Sequence, residues 1–143
     1  MNITAFDLAQ RFVGVKEVPG TKDNAMILSM LKLDGDWPAH DEVPWCSAFV
    51  NYICWLLRLP RSKSLAARSW LNVGRPISLS VAIPEFDVVI LDRPGGGPTA
   101  GHVGFYAEWG PGPNVLLLGG NQGNEVTMAP FALSRVIGVR RLA

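Results

Sequence analysis

Residues 44–60, PWCSAFVNYICWLLRLP, carry the strongest helical signal in the chain. Cys46, Phe49, Val50, Ile53 and Leu57 follow the i, i+3, i+4, i+7 spacing of a single apolar helix face, and Pro60 stops the pattern. The spacing predicts the most buried helix of the molecule over about 45–59. Upstream, Thr4 and Asp7 resemble a capping box, followed by a stripe of Phe6, Ala9, Phe12 and Val13. Asp23 or Asn24 can cap a second helix through Met26, Ile27, Met30 and Leu31, with Gly35 as its stop. Downstream, residues 64–73 form a shorter helical candidate closed by Gly74.

After Pro84 the pattern turns to β. DVVIL (87–91), HVGFYAEW (102–109), NVLLLGGNQ (114–122), EVTM (125–128) and RVIGVRR (135–141) are short, rich in Val, Ile and aromatics, and parted by Gly, Pro or Asn. Helices followed by closely spaced strands imply an α+β fold with an antiparallel sheet packed on the helices. A length of 143 residues, with 48% hydrophobic and 17% charged residues, suits one domain over 1–143: a helical lead-in (1–40), the central helix, and a sheet over about 86–141.

Composition narrows the functional classes. Thirteen basic and twelve acidic residues give a net charge of +1, so no nucleic-acid footprint or polybasic anchor is expected. No apolar run approaches the roughly 20 residues of a bilayer crossing, and stable membrane insertion is not expected. MNITAFDLAQRF lacks the basic and apolar regions of a signal peptide, which predicts synthesis in the cytoplasm without a signal. With no Cys-x-x-Cys or His-x-x-x-His, a metal site is not expected. Asp34-Gly35-Asp36 opens like a calcium loop, yet Trp45 stands where the bidentate Glu belongs.

What remains is a thiol with a base. Cys46 falls at a helix N-terminus, where orphan N–H groups and the dipole favour a thiolate; Cys54, mid-helix, fits a small buried hydrophobe. The two are about 12 Å apart along the helix, beyond the roughly 7 Å limit for a disulfide. His102 opens a strand beside the PGGGPTAG loop. A chain reversal at Gly110 to Pro113 pairs Trp109 with Asn114 and sets His102 opposite Asn121, on one face of the sheet. A one-residue slip would bring Gly120 or Gln122 there instead. Cys46, His102 and Asn121 then supply nucleophile, base and orienting group.

DEVPWCSAFVNYIC (41–54), ARSWLNVG (67–74), FDVVIL (86–91), GHVGFY (101–106) and LLLGGNQGNEV (116–126) resemble the CHAP and NlpC/P60 papain-like cysteine peptidases, most closely small CHAP-like proteins of phages and bacteria. The lead-in GVKEVPGTKDNAMIL (14–28) resembles that subgroup as well. The resemblance implies a papain-like α+β fold and a cofactor-free cysteine hydrolase of peptidoglycan, either an N-acetylmuramoyl-L-alanine amidase or a peptide endopeptidase. Cys46 matches the family nucleophile, His102 the base and Asn121 the polar residue that follows, with Gln122 second for the orienting role. Phe86 replaces the usual Gly before Asp-Val-Val, and Gly119 stands where many CHAP domains carry Glu.

Around this centre, His40, Asp41 and Glu42 lie just before Cys46, and the two acids either complement the helix N-terminus or hold a cationic group of a stem peptide. Trp45 and Trp70 are core aromatics or substrate platforms. Arg68 anchors a carboxylate or covers apolar surface with its stem. The expected protein is a monomer acting on peptidoglycan in the periplasm or cell wall, as a phage endolysin released through a holin pore. The alternatives are an injected antibacterial amidase effector and a non-catalytic phage structural or wall-binding module of the same fold.

Overall fold

A computed structural model describes residues 2–18, 24–35 and 44–143. Three α-helices precede a six-stranded sheet: α1 (Ala5–Gln10), α2 (Ala25–Leu31) and α3 (Cys46–Leu57), then β1 (Arg75–Pro76), β2 (Asp87–Asp92), β3 (Gly101–Trp109), β4 (Asn114–Gly119), β5 (Thr127–Ala132) and β6 (Val136–Arg141). The strand order is β1-β6-β2-β3-β4-β5, antiparallel at every pairing.

Local chemistry sets the helix ends. Thr4 and Asp7 close the capping box at α1, and the Asn24 side chain accepts the N–H groups of Met26 and Ile27 at α2. α2 ends at Leu31, short of Gly35. α3 has no side-chain cap at Trp45 and ends at Arg58 in the left-handed conformation (φ 57°). A missing cap costs about 1 kcal/mol. The buried Phe49, Val50 and Ile53 outweigh it at roughly 1.5–3 kcal/mol each.

The helical candidate at 64–73 is a 3-10 helix confined to Ala67–Asn72. The buried α3 side chains of Ser47 and Asn51 hold the segment before it. Ser47 Oγ donates to the Ser64 carbonyl (2.6 Å), Asn51 Oδ1 accepts the Lys63 N–H (3.0 Å), and Lys63 is left-handed (φ 56°). Those contacts leave only a short, tight helix, which meets the sheet at β2, β3 and β6.

The main core lies between the helices and one sheet face. Phe49, Ile53 and Trp70 pack there with Val88, Ile90, Val103, Phe105 and Leu118. A smaller cluster of Val89, Leu91, Tyr106, Val115, Leu117 and Val139 fills the other face. Phe86 packs into the main core, so its side chain has a place that glycine would leave empty.

The β3–β4 hairpin turns at residues 110–113 but pairs Trp109 with Val115, one residue off the expected partner. A register shift between Tyr106 and Glu108 restores the expected pairing, and Phe105 faces Leu118. β4 then stops at Gly119, because Asn121 (φ 58°), Gly123 (φ 63°) and Asn124 (φ 63°) are left-handed and turn the chain out of the sheet. The strand expected at 125–128 runs instead from Thr127 to Ala132.

Candidate active site

Cys46 is the first residue of α3 and is 3% exposed. The backbone N–H groups of Val103, the residue after His102, of Ser47 and of Cys46 itself all favour the charged form of its thiol. The sequence predicts a thiolate here. Burial wins over these donors and over the positive charge of Arg93, and pushes the thiol above its ordinary value. The thiol of Cys46 is therefore protonated at rest. Cys54 lies buried in mid-helix with its thiol pushed up to about 12 by desolvation, which leaves it inert at neutral pH.

His102 stands at the start of β3, 3% exposed, with its ring stacked on Phe131 of β5 (centroids 5.0 Å apart, planes inclined by 28°). Its Nε2 meets Gln122 Oε1 at 2.9 Å. The amide of Gln122 is oriented by its own Nε2, which donates to the carbonyls of Thr127 (2.8 Å) and Leu117 (3.2 Å). An amide fixed that way presents an acceptor to the ring, so His102 Nε2 carries the proton and Nδ1 is the free base. Nδ1 is also the ring nitrogen nearer the backbone.

Gln122 thus occupies the orienting position assigned from sequence to Asn121. The β3–β4 register is the expected one at Phe105, but β4 ends two residues before Asn121, and the left-handed turn carries Gln122 back over the sheet. Asn121 lines the cavity next to His102 without contacting the ring nitrogen. Gly119 makes this arrangement feasible: a Cβ there would run into Gln122 Oε1. Gln122→Ala is expected to slow any turnover at this centre by on the order of ten- to a thousandfold. Gly119→Ala should fall in the same range by displacing the amide, and Asn121→Ala should have the smallest effect. Steady-state kinetics on the three variants rank them.

Burial pushes His102 down to about 4, partly opposed by the Gln122 hydrogen bond and reinforced by the charges of Arg93 and Arg135. The folded value lies below the ordinary 6.5, so the unfolded chain binds the proton more readily. Stability from this group is fully present above pH 6.5 and is lost as the pH falls from 6.5 towards 4. The loss amounts to about 3 kcal/mol at most. Urea unfolding across that range should show a steeper decline for the intact protein than for His102→Gln.

The remaining candidates separate cleanly. Trp45 and Trp70 are fully buried and not substrate platforms: Trp45 Nε1 donates to Glu17 Oε1 (3.0 Å) and Trp70 Nε1 to Ser47 Oγ (2.9 Å). The ring of Trp45 also packs under Gly120, where a Cβ would lie 2.6 Å from Cζ3. Arg68 is engaged inside the fold, donating to the Ala100 carbonyl (2.8 Å) and to Asp92 (2.6 Å), and so pins the loop that leads into His102. His40, Asp41 and Glu42 lie outside the described residues. Sequence reasoning missed Arg93, Phe131 and Arg135, which join His102, Asn121 and Gln122 around an open cavity of about 430 Å³. Among the described residues no three His, Cys, Asp or Glu side chains gather as metal ligands, and no helix is long and apolar enough to cross a membrane.

The fold as a whole has counterparts among solved structures. NlpC1 from Trichomonas vaginalis matches over 96% of this chain with a TM-score of 0.58 at 17% identity. This is a papain-like fold of the NlpC/P60 type. NlpC2 from the same organism matches equally, with a TM-score of 0.58, 18% identity and 96% of the chain covered. The chain spans less than half of either protein, 42% of NlpC1 and 44% of NlpC2. No protein-family model matches the sequence, and no curated protein matches it significantly. The NlpC/P60-type fold accounts for the α+β architecture expected from the order of helices and strands.

Proposed function

We propose that this chain is a cysteine hydrolase that cleaves an amide bond of peptidoglycan, either in the stem peptide or at the muramoyl-L-alanine linkage. The observation that carries this reading is Cys46 at the start of α3, under the influence of the backbone N–H of Val103, the residue after a His102 whose Nε2 is taken by Gln122. In the reaction, Sγ attacks the amide carbon while its proton passes to Nδ1. The N–H groups at the α3 N-terminus stabilise the oxyanion. The C–N bond then breaks as Nδ1–H protonates the leaving amine, and a thioester remains. Water, deprotonated by Nδ1, attacks the thioester, releases the carboxylic acid and restores the thiol.

The CHAP-like motifs favour work as a phage endolysin: a monomer made in the cytoplasm, released through a holin pore, and acting in the periplasm or cell wall. The protein added to outer-membrane-permeabilised cells should clear the suspension. Mass spectrometry of the soluble fragments then names the bond that is cut. A suspension that stays cloudy, with muropeptides intact, refutes the proposal and leaves a non-catalytic module of this fold.

A further inference from the structure

Residues 14–17, between α1 and α2, are joined to both sides of the catalytic centre. They run antiparallel to 124–126: the Gly14 N–H donates to the Val126 carbonyl (3.0 Å), the Val126 N–H to the Val15 carbonyl (2.8 Å) and the Glu17 N–H to the Asn124 carbonyl (2.9 Å), with Lys16 opposite Glu125. The Gln122 N–H donates to the Glu125 carbonyl (3.0 Å), so this short ladder closes the left-handed turn that aims Gln122 at His102. Asn24 Nδ2, at the cap of α2, donates to the Lys16 carbonyl (2.9 Å) and fixes the segment from behind. On the other side, Glu17 Oε1 accepts the indole N–H of Trp45 (3.0 Å). Trp45 is fully buried, immediately precedes Cys46 at the start of α3, and its ring lies against Gly120. A buried indole N–H needs an acceptor, and a carboxylate is a strong one.

Glu17 therefore holds the nucleophile's side with its carboxylate and the orienting side with its backbone. A path runs from Cys46 through Trp45, Glu17 and the 122–124 turn to His102, and Glu17 is its one member from the helical lead-in. We propose that Glu17 is a positioning residue of this centre, setting the start of α3 against the turn that carries Gln122 and, through Gln122, the seat of the His102 ring. The effect on rate rests on the hydrolase reading above, whereas the effect on the ring does not.

The test compares Glu17→Leu, which removes the acceptor at similar size, with Glu17→Gln, which keeps an oxygen acceptor. NMR on nitrogen-15-labelled protein reads the Trp45 indole N–H and the His102 Nε2–H, with Trp70 Nε1–H on Ser47 Oγ as the control in the same core. In Glu17→Leu the first two protons should exchange with solvent about tenfold faster or more, while Trp70 keeps its protection. The kcat on purified muropeptides should fall by about tenfold or more with KM changed less than about twofold, and Glu17→Gln should restore most of both. Trp45→Phe keeps a ring against Gly120 without the N–H, so it should reproduce the loss, and adding Glu17→Leu to it should change nothing further. An unchanged His102 signal in Glu17→Leu, an equal loss of protection at Trp70, or a Glu17→Gln protein as impaired as Glu17→Leu overturns the proposal. If Glu17→Leu fails to fold, Trp45→Phe decides in the same terms. Faster ring exchange in a protein whose parent cleaves no muropeptide keeps the positioning role and removes the hydrolase reading, whereas full cleavage by Glu17→Leu with an unchanged ring does the reverse.

Discussion

Cys46→Ala and Cys46→Ser are expected to lose at least on the order of 10⁴-fold in the rate of peptidoglycan hydrolysis, with the fold intact. The thiol is the only group at the start of α3 that can form the thioester, and neither replacement has a comparable nucleophile: alanine has none, and a serine hydroxyl holds its proton far more tightly than a thiol. The change is also small in volume, so the cost in stability should stay near 1 kcal/mol. Cys54 provides the internal contrast. It lies in the same helix, equally buried, with its thiol pushed up to about 12 and no backbone donors directed at it. Cys54→Ser places a hydroxyl in that apolar setting and should cost about 1–3 kcal/mol of stability while the rate is largely kept. Rates on purified muropeptides and melting curves for the variants separate the two effects. Iodoacetamide labelling followed by peptide mapping adds a direct check. Inactivation that tracks alkylation of Cys54, or a Cys46→Ala protein of full activity, would refute the assignment.

What could be read from the residues depended on whether the signal was local. The Thr4–Asp7 box, the Asn24 cap and the apolar face of α3 are written in neighbouring residues, and all three occur where the spacing puts them. The turn at 110–113 was equally legible. The segment at 64–73 was not, because Ser47 and Asn51 on another element hold residues 62–64 and cut the helix to one 3-10 stretch. Strand β4 is the instructive case. Gly119-Gly120-Asn121-Gln122-Gly123-Asn124 is rich in Gly and Asn, which tolerate left-handed backbone, so the sequence offers a stop before Asn121, but the apolar run of 115–118 reads on past it as strand. That extension placed Asn121 on His102, where the structure places Gln122. Arg93 and Arg135 were out of reach of local signals: Arg93 follows β2, Arg135 precedes β6, and the β2–β6 pairing, with Leu91 opposite Val136, brings them to one cavity.

His102→Ala is expected to reduce the rate by on the order of 10³- to 10⁴-fold, close to the loss of the thiol itself, because the members of one catalytic unit are strongly non-additive. The neutral thiol of Cys46 has to surrender its proton during attack, and Nδ1 of His102 is the acceptor that the Gln122 hydrogen bond leaves free. Removing Gln122 only loosens the tautomer and orientation of the ring, so its effect is smaller. His40→Ala should be milder still. With burial and the charges of Arg93 and Arg135 depressing the imidazole to about 4, the base remains neutral well below pH 6. The rate of the intact protein should therefore hold through mildly acidic pH and fall off as the pH approaches 4. A further readout distinguishes a base from a mere packing element. His102→Ala leaves a ring-sized space between Phe131 and Gln122 Oε1, and free imidazole added to the assay should restore part of the activity in proportion to its neutral form. A His102→Ala protein that keeps its rate, paired with an inactive His40→Ala, would transfer the role of base to His40.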